Sequence, residues 1–326
     1  MKPKKINSPD ELIQLQNKPS KVINLSITIE NVKINEPLNF SGFTFSKNVH
    51  FKNVDFEKVV LFRNCTFKGE VTFDISRFHS DAYFNSSEFF ENVFFHTNFN
   101  SFASFNKIIG KKKISFSHGR VIKEVDFSQM KLNELSISTY MLNIAIFDKS
   151  EIQKMHFDRA GFRSNGLFRD TKIESADRET FRIIKNELLR ANNKIDSLFY
   201  HQKEMSELNR ELSIWTDFGN KIVLFISSIT NDFGLKWTRA LVFFFISSSI
   251  LYFLFLITLT SFPFQDTNNF LEIIALYCQF LNPVRPLSFV NQELLNHSSI
   301  IVDFVSRIII SFAIYQFLTS FRKFKI

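Results

Sequence analysis

"DFEKVVLFRNCTFKGEVTFDISRFHSDAYF", residues 55–84, sets phenylalanine at 56, 62, 67, 73, 78 and 84, in steps of five or six. An α-helix repeats its buried face every three to four residues and a strand every two, so neither period alone accounts for the spacing. The chain must turn between successive rings.

The series runs on in both directions. Upstream it takes in Ile29, Ile34, Phe40, Phe45 and Phe51; downstream it takes in Phe89 and Phe95 and, past an irregular patch, Phe105, Phe116, Val121 and Phe127. Leu132, Ile137, Leu142, Phe147, Ile152, Phe157, Phe162, Phe168 and Ile173 continue it, mostly at steps of five. Two residues ahead of most of these stands a small or β-branched residue: Val49, Val54, Val60, Cys65, Val71, Ser76, Ala82, Ser87, Val93, Ala103, Val125, Ala145 and Ala160. Residues two apart on an extended segment share a face. Each unit therefore points one small and one large side chain inward, and polar residues turn the corner. Phe56, Phe62, Phe67, Phe73, Phe78, Phe84 and Phe89 are the expected structural core. Such units bury their faces only against neighbours, which is the logic of a solenoid. Four units per turn give coils of about 20 to 22 residues, and stacking at about 4.8 Å makes about seven coils between Ile29 and Ile173, a rod of about 34 Å. No proline lies between Pro37 and Pro263, as stacked strands require, since each needs its backbone N–H as a donor.

The stretches "VDFEKVVLF", "CTFKGEVTF", "SRFHSDAYF", "SEFFENVFF" and "IAIFDKSEIQKMHFDRAGF" resemble the pentapeptide-repeat family in its phenylalanine-rich form, where units of five and six alternate. The resemblance covers roughly residues 24–175 and implies a right-handed quadrilateral β-helix. "NKIIGKKKISF" at 106–116 breaks the count, so an extruded loop is expected there.

The net charge is +8. Residues 1–175 hold 25 basic and 19 acidic side chains, a net +6, so the rod is mildly basic. Some soluble pentapeptide-repeat proteins mimic DNA and shield topoisomerases; that mimicry needs a strongly negative rod, and no nucleic-acid partner or mimicry is expected here. The first residues, "MKPKKINSPDELIQLQNKP", have no apolar core, so no signal peptide is expected and this end is expected in the cytoplasm. Cys65 and Cys278 imply no disulfide framework. The glycines form no phosphate loop and the histidines no metal-ligand spacing, so no enzyme, cofactor or metal is expected. His50, His79, His96, His118 and His156 fall at corner or outward positions.

From 176 the period changes. Phe181, Ile184 and Leu188 share one helical face and Ile195, Leu198, Phe199, Met205 and Leu212 another, with Asn192-Asn193 as a turn between them. The pattern predicts a helical hairpin resembling one tetratricopeptide unit, set to cap the rod or to pair with another subunit. Residues 240–262 are uncharged and, as a helix, reach about 34 Å, enough to cross a bilayer. A second run, 300–321, has similar reach but carries Asp303 and Arg307. "KIVLFISSI" at 221–229 is too short to cross and is expected in the interface or packed beneath the pore. Lys221, Lys236 and Arg239 precede the first run and Arg322, Lys323 and Lys325 follow the second, so both flanks are expected to be cytoplasmic.

The resulting layout is a cap or tail (1–23), the β-helix (24–175), the hairpin (176–214), an interfacial or linker helix (215–236) and a two-span domain (237–326) with an outward loop at 263–298. Within that loop "FLEIIALYCQFL", 270–281, predicts a half-inserted helix. Span, re-entrant helix, span is the layout of a tetrameric cation channel, yet "CQFLNPVRPLSF" lacks the glycine of a potassium-type filter. "TNDFGLKWTRALVFF" and "YQFLTSFRKF" are similar to pentapeptide-repeat proteins bearing a C-terminal two-span module that resembles a two-helix ion-channel unit.

Asp303 and Arg307, four apart, share a helical face and can pair; charge inside a span is costly and marks either a pathway or proximity to the outer boundary. Asp303, Arg307, Glu272 and Gln316 are the candidates for facing the centre of a homo-oligomer. Two functions stay open. One is a plasma-membrane (inner-membrane) sensor or effector whose cytoplasmic β-helix organises or gates an oligomeric two-span domain that either passes ions or perturbs the bilayer. The other is a non-conducting scaffold tethered to membrane lipid, with a cytoplasmic protein partner on the β-helix.

Overall fold

Backbone groups at two corners of each turn set the shape of the first half of the chain. In the computed structural model, which describes residues 4–6, 8–260, 270–286 and 289–321 with the side chains of Phe270 and Glu272 left aside, left-handed residues recur at fixed intervals. One corner carries Asn31, Asn53, Ile75, His118, Thr139 and Arg159, the other Lys21, Gly42, Asn64, Ser86, Lys107, Gln129, Lys149 and Asp170, all at positive φ. Asparagine tolerates this region better than most residues, and Asn53 Nδ2 donates to Asn31 Oδ1 at 2.8 Å, linking two corners.

Between corners the chain is extended and pairs in parallel with the coil above and below. Lys4–Ile6 pairs with Ile27–Ile29, which pairs with Val49–Phe51, then Val71–Phe73, Val93–Phe95, Ile114–Phe116, Leu135–Ile137 and Met155–Phe157. The result is a parallel β-solenoid of about eight turns, one more than the aromatic count gives. The extra turn begins at Lys4–Ile6, a strand with one inward residue and no aromatic ring, inside the stretch read as cap or tail.

Rings stack rung over rung. Phe40, Phe62, Phe84, Phe105, Phe127, Phe147 and Phe168 form one unbroken ladder with centroid separations of 5.5, 5.4, 4.9, 5.3, 5.0 and 4.7 Å. Shorter ladders run through Phe51, Phe73, Phe95 and Phe116, through Phe56, Phe78 and Phe99, and through Phe45, Phe67 and Phe89. All of these rings are buried. Small inward residues carry the polar chemistry: Ser87 Oγ accepts from Cys65 N–H (2.9 Å) and donates to Phe62 O (2.6 Å), joining adjacent coils through the core. Ser150 does the same with Met130 N–H and Phe127 O.

No loop is extruded at 106–116. Ile109–Asp126 is one continuous strand segment. Val93–Phe99 is a residue shorter than Val71–Phe78, and the register slips between His96 and Thr97, where the left-handed corner residue is missing. Gly110 then takes a large inward slot, and Leu132 and Ile114 close over it; a Cβ there would lie 2.8 Å from Leu132 Cδ2. Gly119 makes room in the same way for Tyr140, whose buried hydroxyl donates to Thr97 O at 2.7 Å. A Cβ on Gly119 would meet the Thr97 carbonyl oxygen at 2.1 Å, so only glycine fits.

Both ends of the coil are closed. Helix α1 (Pro9–Gln16) buries Leu12 and Leu15, and Gln16 Oε1 accepts from Asn39 N–H at 2.8 Å. Helix α2 (Arg178–Arg190) buries Phe181, Ile184 and Leu188 on the last coil. Its polar residues complete the exposed edge: Thr180 Oγ1 accepts from Phe157 N–H (2.8 Å) and Glu187 Oε2 from Gly166 N–H (2.9 Å). Helix α3 (Lys194–Glu211) follows, and its expected apolar face is not the one it buries. Ile195 and Phe199 are exposed, whereas Ser197, Tyr200 and Glu204 are buried. Tyr200 Oη donates to Thr171 O at 3.0 Å, so a polar tip on an aromatic body serves the coil edge better than an aliphatic residue would.

The chain divides within α3 into two compact units, residues 1–200 and 201–326. The second contains α4 (Phe218–Asn231), α5 (Trp237–Thr258), α6 (Phe270–Phe280) and α7 (His297–Ser320). α5 and α7 are long and apolar enough to cross a membrane. In each, 22% of the most apolar stretch is buried within the chain, so large side chains such as Ile246, Phe253, Ile257, Ile301, Phe304 and Ile308 face outward. α7 starts three residues before the apolar run because of a capping box: Asn296 Oδ1 accepts from Ser299 N–H (2.8 Å) and Ser299 Oγ from Asn296 N–H (2.9 Å).

Cys65 gives the solenoid a chemical test. Its thiol is buried in a small slot and donates to Phe40 O at 3.0 Å, and burial pushes its pKa up to about 12. An unfolded thiol ionises near about 8.5, so the stability held by the neutral thiol is complete below that pH and declines as pH rises toward 12. Thiol reagents applied to the native protein at pH 8 are expected to leave Cys65 unmodified, read by peptide mass spectrometry, until denaturant unfolds the coil. Rapid native labelling of Cys65 would contradict its placement.

Candidate functional site

In the second unit one carboxylate holds two arginines. Asp303 is the seventh residue of α7, about 9 Å along the helix at 1.5 Å per residue, and is 2% exposed. Asp303 Oδ1 accepts from Arg285 Nε (3.0 Å) and Nη2 (2.6 Å), and Oδ2 accepts from Arg307 Nε at 2.7 Å. The expected i, i+4 pair therefore forms, and a second arginine joins it.

Arg285 is fully buried. Its Nη2 also donates to Ser306 Oγ at 2.6 Å, and its Nη1 to Phe280 O and Asn282 O. The guanidinium thus sits on the carbonyl end of α6, where the helix dipole favours a cation. The rings of Phe280 and Phe289 lie 4.1 and 5.1 Å from its central carbon. Arg285 falls in the stretch 263–298 that the sequence reading assigns to the outward loop, and the structure places it at the centre of the cluster. The local signal was its setting, "NPVRP", one cation held between two prolines after an apolar helix.

α6 lies against the middle of α5. Tyr277 Oη is 2.8 Å from Ser248 Oγ and 3.0 Å from Ser249 Oγ, and Tyr252 Oη donates to Ile273 O at 3.2 Å. Ser248 is midway along α5, so α6 packs level with the centre of that helix. Tyr252, Phe255, Phe280, Val290 and Ile310 form the apolar centre around it.

Gln316 does not join the charge cluster. Its Oε1 accepts from Asn231 Nδ2 at 2.6 Å, and Asn231 Oδ1 accepts from Gly234 N–H at 2.8 Å, fixing the turn from α4 to α5. In that turn Asp232, left-handed at φ 54°, pairs with Lys236 (3.2 Å) and Arg239 (3.6 Å). The Glu272 side chain lies outside the described residues; its backbone is in the first turn of α6, at the end opposite Arg285.

A line of polar residues winds about α7. Ser299, Asp303, Arg307, Ser311, Tyr315 and Thr319 recur at steps of four, each turned by about 40° from the last. The stripe starts buried at Ser299 and Asp303 and emerges at Ser311 and Tyr315, which are exposed. Arg307 stands at the crossing point, its side chain 26% exposed.

Comparison with curated proteins and with solved structures yields no match for this chain. The family model described as Pentapeptide repeats (9 copies) matches residues 40–88, the coils that carry the first aromatic ladders. Over those residues the chain is similar to the pentapeptide-repeat family, and the parallel solenoid carries the same pattern on to Ile173.

Proposed function

We propose that this chain is a membrane-anchored effector: a cytoplasmic pentapeptide β-helix organises or gates a two-span module that assembles around an axis and passes ions. The observation that carries the reading is the polar line of α7, which brings Arg307, Ser311 and Tyr315 toward a surface otherwise made of large apolar residues such as Phe304, Ile308 and Leu318. A polar surface costs free energy against lipid and is stabilised against water or a second polar surface. Two spans enclose no path, so copies must meet along that line, with α6 filling the outer half. Basic residues flanking the two spans favour a plasma-membrane protein with both termini cytoplasmic. A pentapeptide-repeat β-solenoid is typically structural or protein-binding, which supports reading the chain as a binder and not as an enzyme.

A cysteine at Ser311, in a chain whose Cys278 is serine, is expected to cross-link copies in native lipid, whereas one at Phe253 on the apolar face of α5 is not. Equal cross-linking at both positions would sink the assembly.

A second reading has its own observation. Asp303, Arg285 and Gln316 are satisfied within one chain, and "NPVRP" contains no glycine, which fits an anchor that conducts nothing and a β-helix that binds a cytoplasmic protein. Exchanging residues 237–326 for an unrelated two-span anchor separates the two, because activity survives the exchange only for a scaffold.

The membrane placement has a spectroscopic test in α4, where Phe218, Val223, Phe225 and Ile229 are exposed and Trp215 just before it is 93% exposed. The chain has two tryptophans, so W237F leaves Trp215 as the sole emitter. In lipid nanodiscs its emission is expected to be quenched by bromines near the headgroups and little by bromines at the acyl ends. Water-like emission untouched by either lipid would contradict an interfacial α4.

A further inference from the structure

We infer that the assembled module selects small inorganic anions and that Arg307 sets this preference; the inference rests on the conducting reading above. It starts from the charge of the cluster. Two guanidiniums meet one carboxylate, and arginine stays protonated in proteins, so each copy holds one uncompensated positive charge.

The geometry assigns that charge to Arg307. Arg285 is saturated by Asp303, Ser306 and two carbonyls, and both Asp303 oxygens are occupied. Arg307 Nη2 is buried and has no hydrogen-bond partner among the described residues. No other acidic residue lies in α5 or α7. Glu272 is eight residues before Phe280 in α6, about 12 Å from the carbonyl end that Arg285 caps, so it does not offset the excess.

Arg307 is the eleventh of the 24 residues of α7, close to its midpoint. Around an axis the copies would place a ring of guanidiniums at that level. In a low-dielectric wall such a ring repels cations and supplies N–H donors to a desolvated anion, and Ser311 and Tyr315 continue the path with hydroxyls. The cation-channel layout of the two spans would thus carry the opposite selectivity.

The test is the reversal potential of the full-length protein in planar bilayers under a potassium chloride gradient. Wild type is expected to reverse on the chloride side, R307K to keep that sign, and R307Q to lose at least about tenfold in chloride-over-potassium preference, since every copy loses a charge about 10 Å from a permeating ion. The copy number of R307Q in nanodiscs confirms that it still assembles. A potassium-side reversal in wild type, or an unchanged ratio in R307Q, overturns this inference and leaves conduction standing. No current from protein shown to be assembled overturns conduction and this inference together.

Discussion

Replacing Phe84 with alanine is expected to destabilise the solenoid by about 3 to 5 kcal/mol, at the upper end for a single core substitution. Phe84 is fully buried and is the third of seven rings in the longest ladder, stacked on Phe62 at 5.4 Å and Phe105 at 4.9 Å. It also meets Phe73 and Phe95 edge to face at 5.8 and 5.5 Å. The vacated space cannot collapse, because the coils above and below are held by backbone hydrogen bonds such as Phe84 N–H to Ser104 O at 2.7 Å. In a structure where each coil touches only its neighbours, the loss should spread along the rod from the site. Hydrogen exchange of the full-length protein is expected to show protection falling first in residues 60–105 and least in the outer coils. Uniform loss over the whole rod, or none, would contradict the ladder as the source of stability. Leucine at the same position is expected to recover much of the loss, since it restores volume without the ring contacts.

The second large effect lies in the charge cluster. Asp303→Ala is expected to cost about 3 to 5 kcal/mol, because it leaves the buried Arg285 without its carboxylate, and Arg285→Ala is expected to cost less, because Asp303 keeps Arg307. For Arg285→Ala the carbonyl end of α6 is left uncapped as well, so α6 should loosen from α5 and α7. Replacing all three charges, R285M with D303L and R307M, is expected to bring thermal stability in detergent back to within about 2 kcal/mol of wild type, since apolar groups of like volume escape the desolvation penalty. A triple variant as unstable as the singles would mean that the cluster is essential to packing. Recovery of stability with loss of ion selectivity would mean that the charges are kept for function.

Most of the solenoid was legible because its core is written in one residue type at a nearly constant step, and each inward slot repeats the one below. The stretch at 106–116 misled for a physical reason: one missing corner residue near His96 shifts the register, and two glycines then stand where large or small side chains belong. Their partners, Leu132 and Tyr140, restore the volume from the next coil, which no single-position pattern reveals. The buried face of α3 was hidden because Ser197, Tyr200 and Glu204 bury polar atoms while Ile195 and Phe199 stay exposed. In the second unit, Asp303 and Arg307 were readable from their spacing of four, a local relation on one helix. Arg285 was not, since it meets Asp303 across 18 residues after a turn at two prolines. Gln316 likewise meets Asn231 across 85 residues, a pairing set by helix packing alone.

Copy number in native lipid nanodiscs, read as particle mass after subtraction of lipid and belt protein, tests the assembly most directly. Three or more chains per disc, falling to one when Ser311 is replaced by a bulky tryptophan, is the result predicted by a polar α7 line turned to a shared axis. One chain per disc across protein concentrations would contradict it and leave the helices as an anchor.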